Sequence, residues 1–373
     1  MVKKLSLPVV ITIFCVIIFL GLMAAVLTKE KKLVQLGKVE KVKKEEIKRT
    51  DYTQVARRTL DWIDEQRNEQ GWYILGKVCG QESCEQVIDD DKVGNKDGLI
   101  ATWARLNFFE QHGDPKDLEI VKRDIDLFYD KYKDDNLKDS LWLCKTSYEM
   151  AQSKHLDQAR KDKLKELCLK KKFLSDDKIK KYWPERFKRA GGAAYPPITW
   201  AYYSLQERYF DAFFGSITDL AYKHLWSSDN DNVALINNYF LEIDNLIKNK
   251  KSIDSQNVCL FGISVLDVYK NIDKRESMLN YSIELYNQFE NNDDKYFENP
   301  ICGLFIRRLF ELTGEKKYLD KLKAINISLV SNSEKEERGE SRDGFVRSDI
   351  SKGGFRPDRN VVENGIVVEL IRK

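Results

Sequence analysis

LIATWARLNFFEQHGDPKDLEIVKRDIDLF, residues 99–128, decides the fold class, because the same design returns at 303–329 as GLFIRRLFELTGEKKYLDKLKAINISL. In each copy an apolar helical period ends on a glycine, and Phe109-x3-Gly113 superposes on Phe310-x3-Gly314. Both glycines suit a left-handed helix C-cap. Asp114 and Pro115 then offer an N-cap and a first-turn proline for a second helix. In that helix Leu118, Val121, Ile125 and Phe128 recur at helical spacing, which makes one buried stripe. The unit is a hairpin of an apolar and an amphipathic helix. Looser copies run through Ser147–Cys168 and Leu266–Phe289, and such repetition is the first guide to architecture.

Working outward, the periodicity predicts an amphipathic set of helices at about 51–67, 115–131, 156–171, 231–249, 274–290 and 316–330. An interleaved set at about 97–112, 137–152, 197–212, 256–271, 298–313 and 360–372 is apolar around more of its circumference and should lie deeper. An extra helical piece falls at about 215–226. Six outer and six inner helices in alternation fit a closed ring of hairpins. Hydrophobic residues at 42% and charged residues at 33% exclude the disordered and collagen-like classes.

The order, the inner/outer contrast and the hairpin LFELTGEKKYLDKL at 309–322 resemble the (α/α)6 toroid of the six-hairpin glycosidase superfamily over about residues 51–373. Terpenoid-cyclase and prenyltransferase toroids use similar hairpins, but DDDK at 89–92 does not match their acidic motifs. The resemblance implies an all-α fold whose active cleft is lined by the loops that enter the inner helices. Four such loops are long or unusual: 71–97, 173–199, 291–300 and 333–360.

Glycoside cleavage needs two carboxylates facing each other across the bond, about 5–10 Å apart. By position the candidates are Asp90, Asp91 and Asp97 before the first inner helix, with Glu185, Glu298 and Asp358 in later loops. Trp72, Tyr73, Trp183, Tyr195 and Trp200 are candidates for aromatic walls that stack on sugar faces. Each has a plainer reading: Asp89–Asp91 as a solvated acidic loop, Asp97 as a helix N-cap, Glu185 and Glu298 as salt-bridge partners, the tryptophans as core. Nine Lys/Arg between Lys170 and Arg189, interleaved with aromatics, would favour an anionic glycan if they rim the cleft. No cofactor is expected. The three histidines lack metal-ligand spacing, and neither a G-x-S-x-G nucleophile motif nor a phosphate loop is present.

Leu5–Leu27 carries no charged side chain over 23 residues. A helix of that length rises about 35 Å, enough to cross a hydrocarbon core of about 30 Å. A cleaved signal peptide would have a shorter apolar stretch and a small-residue cleavage site, so residues 1–28 read as an uncleaved transmembrane anchor. Residues 29–50 follow as a basic stalk, and the helical domain occupies 51–373. Of the formal net charge of +3, residues 1–50 hold +7, which leaves the domain mildly acidic and gives no reason to propose nucleic acid.

Orientation is contested. Nine Lys/Arg after the span pull the domain inward by the positive-inside rule. The six cysteines outside the span pull it outward if they pair. Six allow 15 pairings, and position suggests Cys79 with Cys84, Cys144 with Cys168, and Cys259 with Cys302. Such bridges would need an oxidising compartment; six buried reduced thiols would not. The expectation that follows is a single-pass, extracytoplasmic carbohydrate-active protein: a glycoside hydrolase, or a polysaccharide lyase or epimerase. The competing expectation is a non-catalytic helical domain that binds a glycan or an envelope protein.

Overall fold

The computed structural model describes residues 52–67, 70–73, 77–79, 84–86, 96–135, 137, 140–173, 214–249, 255–290, 299–337 and 360–371. Residues 1–51, with the apolar span Leu5–Leu27, lie outside the described residues. Among the described residues no helix is long and apolar enough to cross a membrane.

The chain is predominantly helical. Twelve helices are described: α1 (Tyr52–Glu65), α2 (Leu99–His112), α3 (Pro115–Tyr132), α4 (Leu143–Ala151), α5 (Gln158–Lys170), α6 (Ser216–Ser227), α7 (Asn230–Asn249), α8 (Ser255–Asn271), α9 (Glu276–Glu290), α10 (Pro300–Thr313), α11 (Lys316–Glu337) and α12 (Asn360–Ile371). A two-stranded antiparallel hairpin of β1 (Lys77–Cys79) and β2 (Cys84–Gln86) precedes α2 and sets Cys79 opposite Cys84.

The turn chemistry of the quoted repeat is present in detail. Gly113 and Gly314 adopt φ of 76° and 69°, and their N–H groups donate to the Phe109 and Phe310 carbonyls. That left-handed geometry costs a glycine nothing and any other residue strain. The Asp114 carboxylate accepts from the Lys116 N–H with Pro115 at the first turn of α3, and the Asn299 side chain caps α10 in the same way ahead of Pro300.

The tertiary contacts link α2 to α4, α4 to α6, α6 to α8, α8 to α10, α10 to α12, and α12 back to α2. The amphipathic helices pack outside this cycle, α3 on α2, α5 on α4, α7 on α6, α9 on α8, α11 on α10 and α1 on α12. Members of the inner cycle are buried nearly all round; on α2 this includes Leu99, Ile100, Trp103, Leu106 and Phe108. Close approach is built in where the cycle shuts. A methyl group on Gly365 of α12 would lie 3.0 Å from the Ala101 Cα of α2.

Two disulfides brace the arrangement. Cys144–Cys168 joins the start of α4 to the end of α5, as an antiparallel hairpin requires. Cys259–Cys302 joins α8 to α10 near their N-termini, so these neighbours run parallel. The Asn299 amide also donates to Gln256 across the same two helix starts.

Two helix expectations need correction. The piece at 215–226, predicted as an extra, is α6 and a full member of the inner cycle, with Ile217, Leu220 and Ala221 completely buried. The inner helix predicted at 197–212 lies outside the described residues. The helix predicted at 137–152 begins only at Leu143, because Leu137 and Trp142 hold left-handed φ of 51° and 53°, which no helix can continue through. With no side chain at Trp142 to cap it, α4 borrows one: Asp219 Oδ1 of α6 accepts from the Cys144 and Lys145 N–H groups at 2.8 and 3.1 Å. The other oxygen of Asp219 meets the fully buried Lys171 ammonium at 2.6 Å.

Candidate functional site

Charged side chains in the most apolar helices are costly unless paired, so those in the inner cycle mark where to look. Six of them line a pocket of about 210 Å³. Its apolar lining comes from Trp103 of α2, Trp142 just before α4, Ile263 of α8 and Leu304 of α10. Its polar lining comes from Asn107 of α2, Lys145 and Glu149 of α4, Arg307, Arg308 and Glu311 of α10, and Glu369 of α12. Most of these polar residues sit in the C-terminal halves of their helices.

Lys145 donates to Glu149 Oε1 at 2.9 Å and to the Tyr222 hydroxyl at 3.3 Å, and lies 3.8 Å from Asp267 Oδ2. Tyr222 in turn donates to Glu149 Oε1 at 2.7 Å. Arg308 reaches Glu149 at 3.4 Å and stands 3.8 and 3.9 Å from Asp267 and Glu311. On the other side Arg307 pairs with Glu311 at 3.0 Å and donates to the Glu369 carbonyl at 2.8 Å. Asn107 donates to Glu369 Oε2 at 2.9 Å.

The electrostatics follow from burial and pairing. Burial alone would raise the Glu149 carboxyl, but the charges of Lys145 and Arg308, with hydrogen bonds from Lys145 and Tyr222, outweigh it and hold the group down at about 2. Burial first, then the negative charges of Asp267 and Glu149, push the Tyr222 phenol well above its ordinary value. Glu149 is therefore an ionised acceptor at neutral pH and Tyr222 a protonated donor. A carboxyl held this low cannot serve as a general acid near neutrality, where an acid needs a raised value. Every carboxylate lining the pocket has a cation or amide donor.

Two donors are left over. The indole N–H groups of Trp103 and Trp142 are buried and have no hydrogen-bond acceptor among the described residues. Both rings line the pocket. Buried unsatisfied donors are uncommon in native proteins and call for an explanation.

Of the residues proposed from sequence, Trp72, Tyr73 and Asp97 are described, and none of them lines this pocket. Trp72 and Tyr73, expected on a cleft wall, are buried at 3% and 0% exposure. Trp72 packs 5.5 Å from the Phe128 ring, and the Tyr73 hydroxyl donates to Asp124 at 2.6 Å beside Arg67. The Asp97 carboxylate accepts from the Leu141 N–H at 2.7 Å, tying two loops together instead of capping α2. Asp90, Asp91, Glu185, Glu298, Trp183, Tyr195, Trp200 and Asp358 lie outside the described residues. Of the cysteine pairs, 144–168 and 259–302 are bonded, while the side chains of Cys79 and Cys84 lie outside what is described. Among the described residues no group of His, Cys, Asp and Glu is arranged to hold a metal ion.

The axial residues were missed because attention to the loops treats a helix as scaffold. A signal was available: Arg307 and Arg308 interrupt GLFIRRLF, one of the most apolar helices in the chain.

The sequence matches no protein-family model and no curated protein. Among solved structures the chain is similar to the Lin0763 protein from Listeria innocua, at 12% identity over 86% of this chain and 96% of that one, with a TM-score of 0.53. At that identity the likeness concerns the fold alone.

Proposed function

We propose that this chain is a membrane-anchored, extracytoplasmic protein whose helical domain is an (α/α)6 toroid of the six-hairpin glycosidase type, and that it binds carbohydrate in the axial pocket. The closed cycle of six inner helices, each backed by an outer one, supports the toroid. The two disulfides support an oxidising compartment, and the uncharged span Leu5–Leu27 supports the anchor.

The observation that carries the ligand is the pair of unsatisfied indole donors in a pocket that otherwise alternates donors and acceptors. Sugar hydroxyls both accept and donate, and their ring faces pack on aromatic surface. Glu149, held ionised, cannot supply the acid proton that glycoside cleavage needs. An envelope protein as ligand would need a wider surface than this pocket.

A second reading, hydrolysis or elimination by a glycosidase, lyase or epimerase, draws on Asp90, Asp91 and Glu298. In sequence these acids precede α2 and α10, both neighbours of α12. Full-length protein in detergent, incubated with neutral and uronic-acid glycans, separates the two. Binding without turnover supports the binding reading. Turnover abolished by Asp91→Asn or Glu298→Gln moves the assignment to the enzyme, and neither binding nor turnover sinks both.

A further inference from the structure

The axial pocket is lined by charges of both signs. Its lining holds three cations, Lys145, Arg307 and Arg308, against three carboxylates, Glu149, Glu311 and Glu369. Behind them Asp267 adds a fourth negative group at 1% exposure, whose Oδ2 accepts no hydrogen bond from the described residues. An anion entering beside Arg308 would find that guanidinium already facing Glu149, Asp267 and Glu311 at 3.4, 3.8 and 3.9 Å. Like charges at that range oppose binding strongly where water is scarce.

A neutral hydroxylated ring avoids that repulsion. Its oxygens can accept from the Trp103 and Trp142 indoles and from Arg308, whose several N–H donors have one hydrogen bond among the described residues, at 3.4 Å. Its hydroxyl protons can go to Glu311, the most exposed of the carboxylates at 40%. Size agrees: about 210 Å³ falls below the roughly 300–1,000 Å³ of pockets for drug-sized ligands. One sugar ring fits that space.

We infer that the axial pocket binds a single neutral sugar ring, or the neutral end of a glycan, and excludes uronic acids. This sharpens the carbohydrate reading above and rests on it, and it reverses the anionic preference suggested by the basic segment 170–189.

The test uses full-length protein in detergent with labelled indole nitrogens, titrated with the methyl glycosides of glucose, galactose and mannose, and with glucuronate and galacturonate. At least one neutral glycoside shifts the Trp103 and Trp142 indole signals, assigned from Trp103→Phe and Trp142→Phe. Each of those variants keeps an aromatic ring, loses the donor, and weakens binding about five- to tenfold, the worth of one buried hydrogen bond. Glu311→Gln, at the half-exposed edge and safe for folding, raises glucuronate affinity severalfold relative to the neutral sugar.

A uronate that binds more tightly than every neutral glycoside overturns the inference and leaves the carbohydrate reading standing. Saccharide binding that leaves both indole signals unmoved does the same. No saccharide binding at any signal brings down both.

Discussion

At the scale of single residues, the inner helices tolerate charge because each charge is answered. Glu149 shows the sign of the effect. Its carboxyl is held at about 2 in the fold against an ordinary value of 4.5, so it contributes stability that is complete above about pH 4.5 and is lost as pH falls towards 2. At about 1.4 kcal/mol per unit, roughly 2 kcal/mol of that contribution should disappear between pH 7 and pH 3. Urea unfolding of wild type and Glu149→Gln checks this: the gap between them should shrink by about that amount at pH 3. An unchanged gap would show that Lys145 and Arg308 do not hold the carboxylate as described.

Asp219 is the second such residue. It caps a helix that has no cap of its own and neutralises Lys171, itself completely buried. Asp219→Ala leaves that ammonium without its carboxylate and should cost about 3–5 kcal/mol. Asp219→Asn, which keeps a cap acceptor, should cost less, and denaturant midpoints for the two variants would rank them.

At the scale of elements, the repeat works through its punctuation. Gly113 and Gly314 stop α2 and α10 in left-handed geometry, and the next helix starts within two residues, which forces an antiparallel partner. Gly365 acts differently, by letting α12 come against the backbone of α2. Gly365→Ala should overpack that contact and destabilise by about 1–3 kcal/mol, whereas the same change on an exposed helical surface would be mildly favourable. A thermal melt that rose for Gly365→Ala would contradict this close approach.

At the scale of the whole molecule, the inner cycle brings together residues far apart in sequence. Asn107 reaches Glu369, and Arg308 reaches Glu149. The cross-links act at the same scale, since Cys259–Cys302 closes a segment with a separation of 43 residues. Losing it should cost about 2–4 kcal/mol, measurable as a lower unfolding midpoint in Cys259→Ser/Cys302→Ser. Alkylation of the purified, denatured, non-reduced protein should leave Cys144, Cys168, Cys259 and Cys302 unlabelled; labelling of all four would refute the bridges and, with them, the export they support.

The sequence by itself determined the elements and much of their order. Helical periods, Asp-Pro starts and glycine stops are local, and local chemistry is written in consecutive residues. Two of the three cysteine pairings also followed from position, because each joins neighbouring turns of the repeat. Only the tertiary structure decided which charged residues share a pocket. Lys145, Glu149, Arg308 and Glu369 each look like an ordinary helical charge until the packed helices set them around one pocket. It also decided that Trp72 and Tyr73 are core, and that the short helix at 216–227 is an inner member. Burial and long-range pairing are properties of the closed arrangement, and no window of consecutive residues contains them.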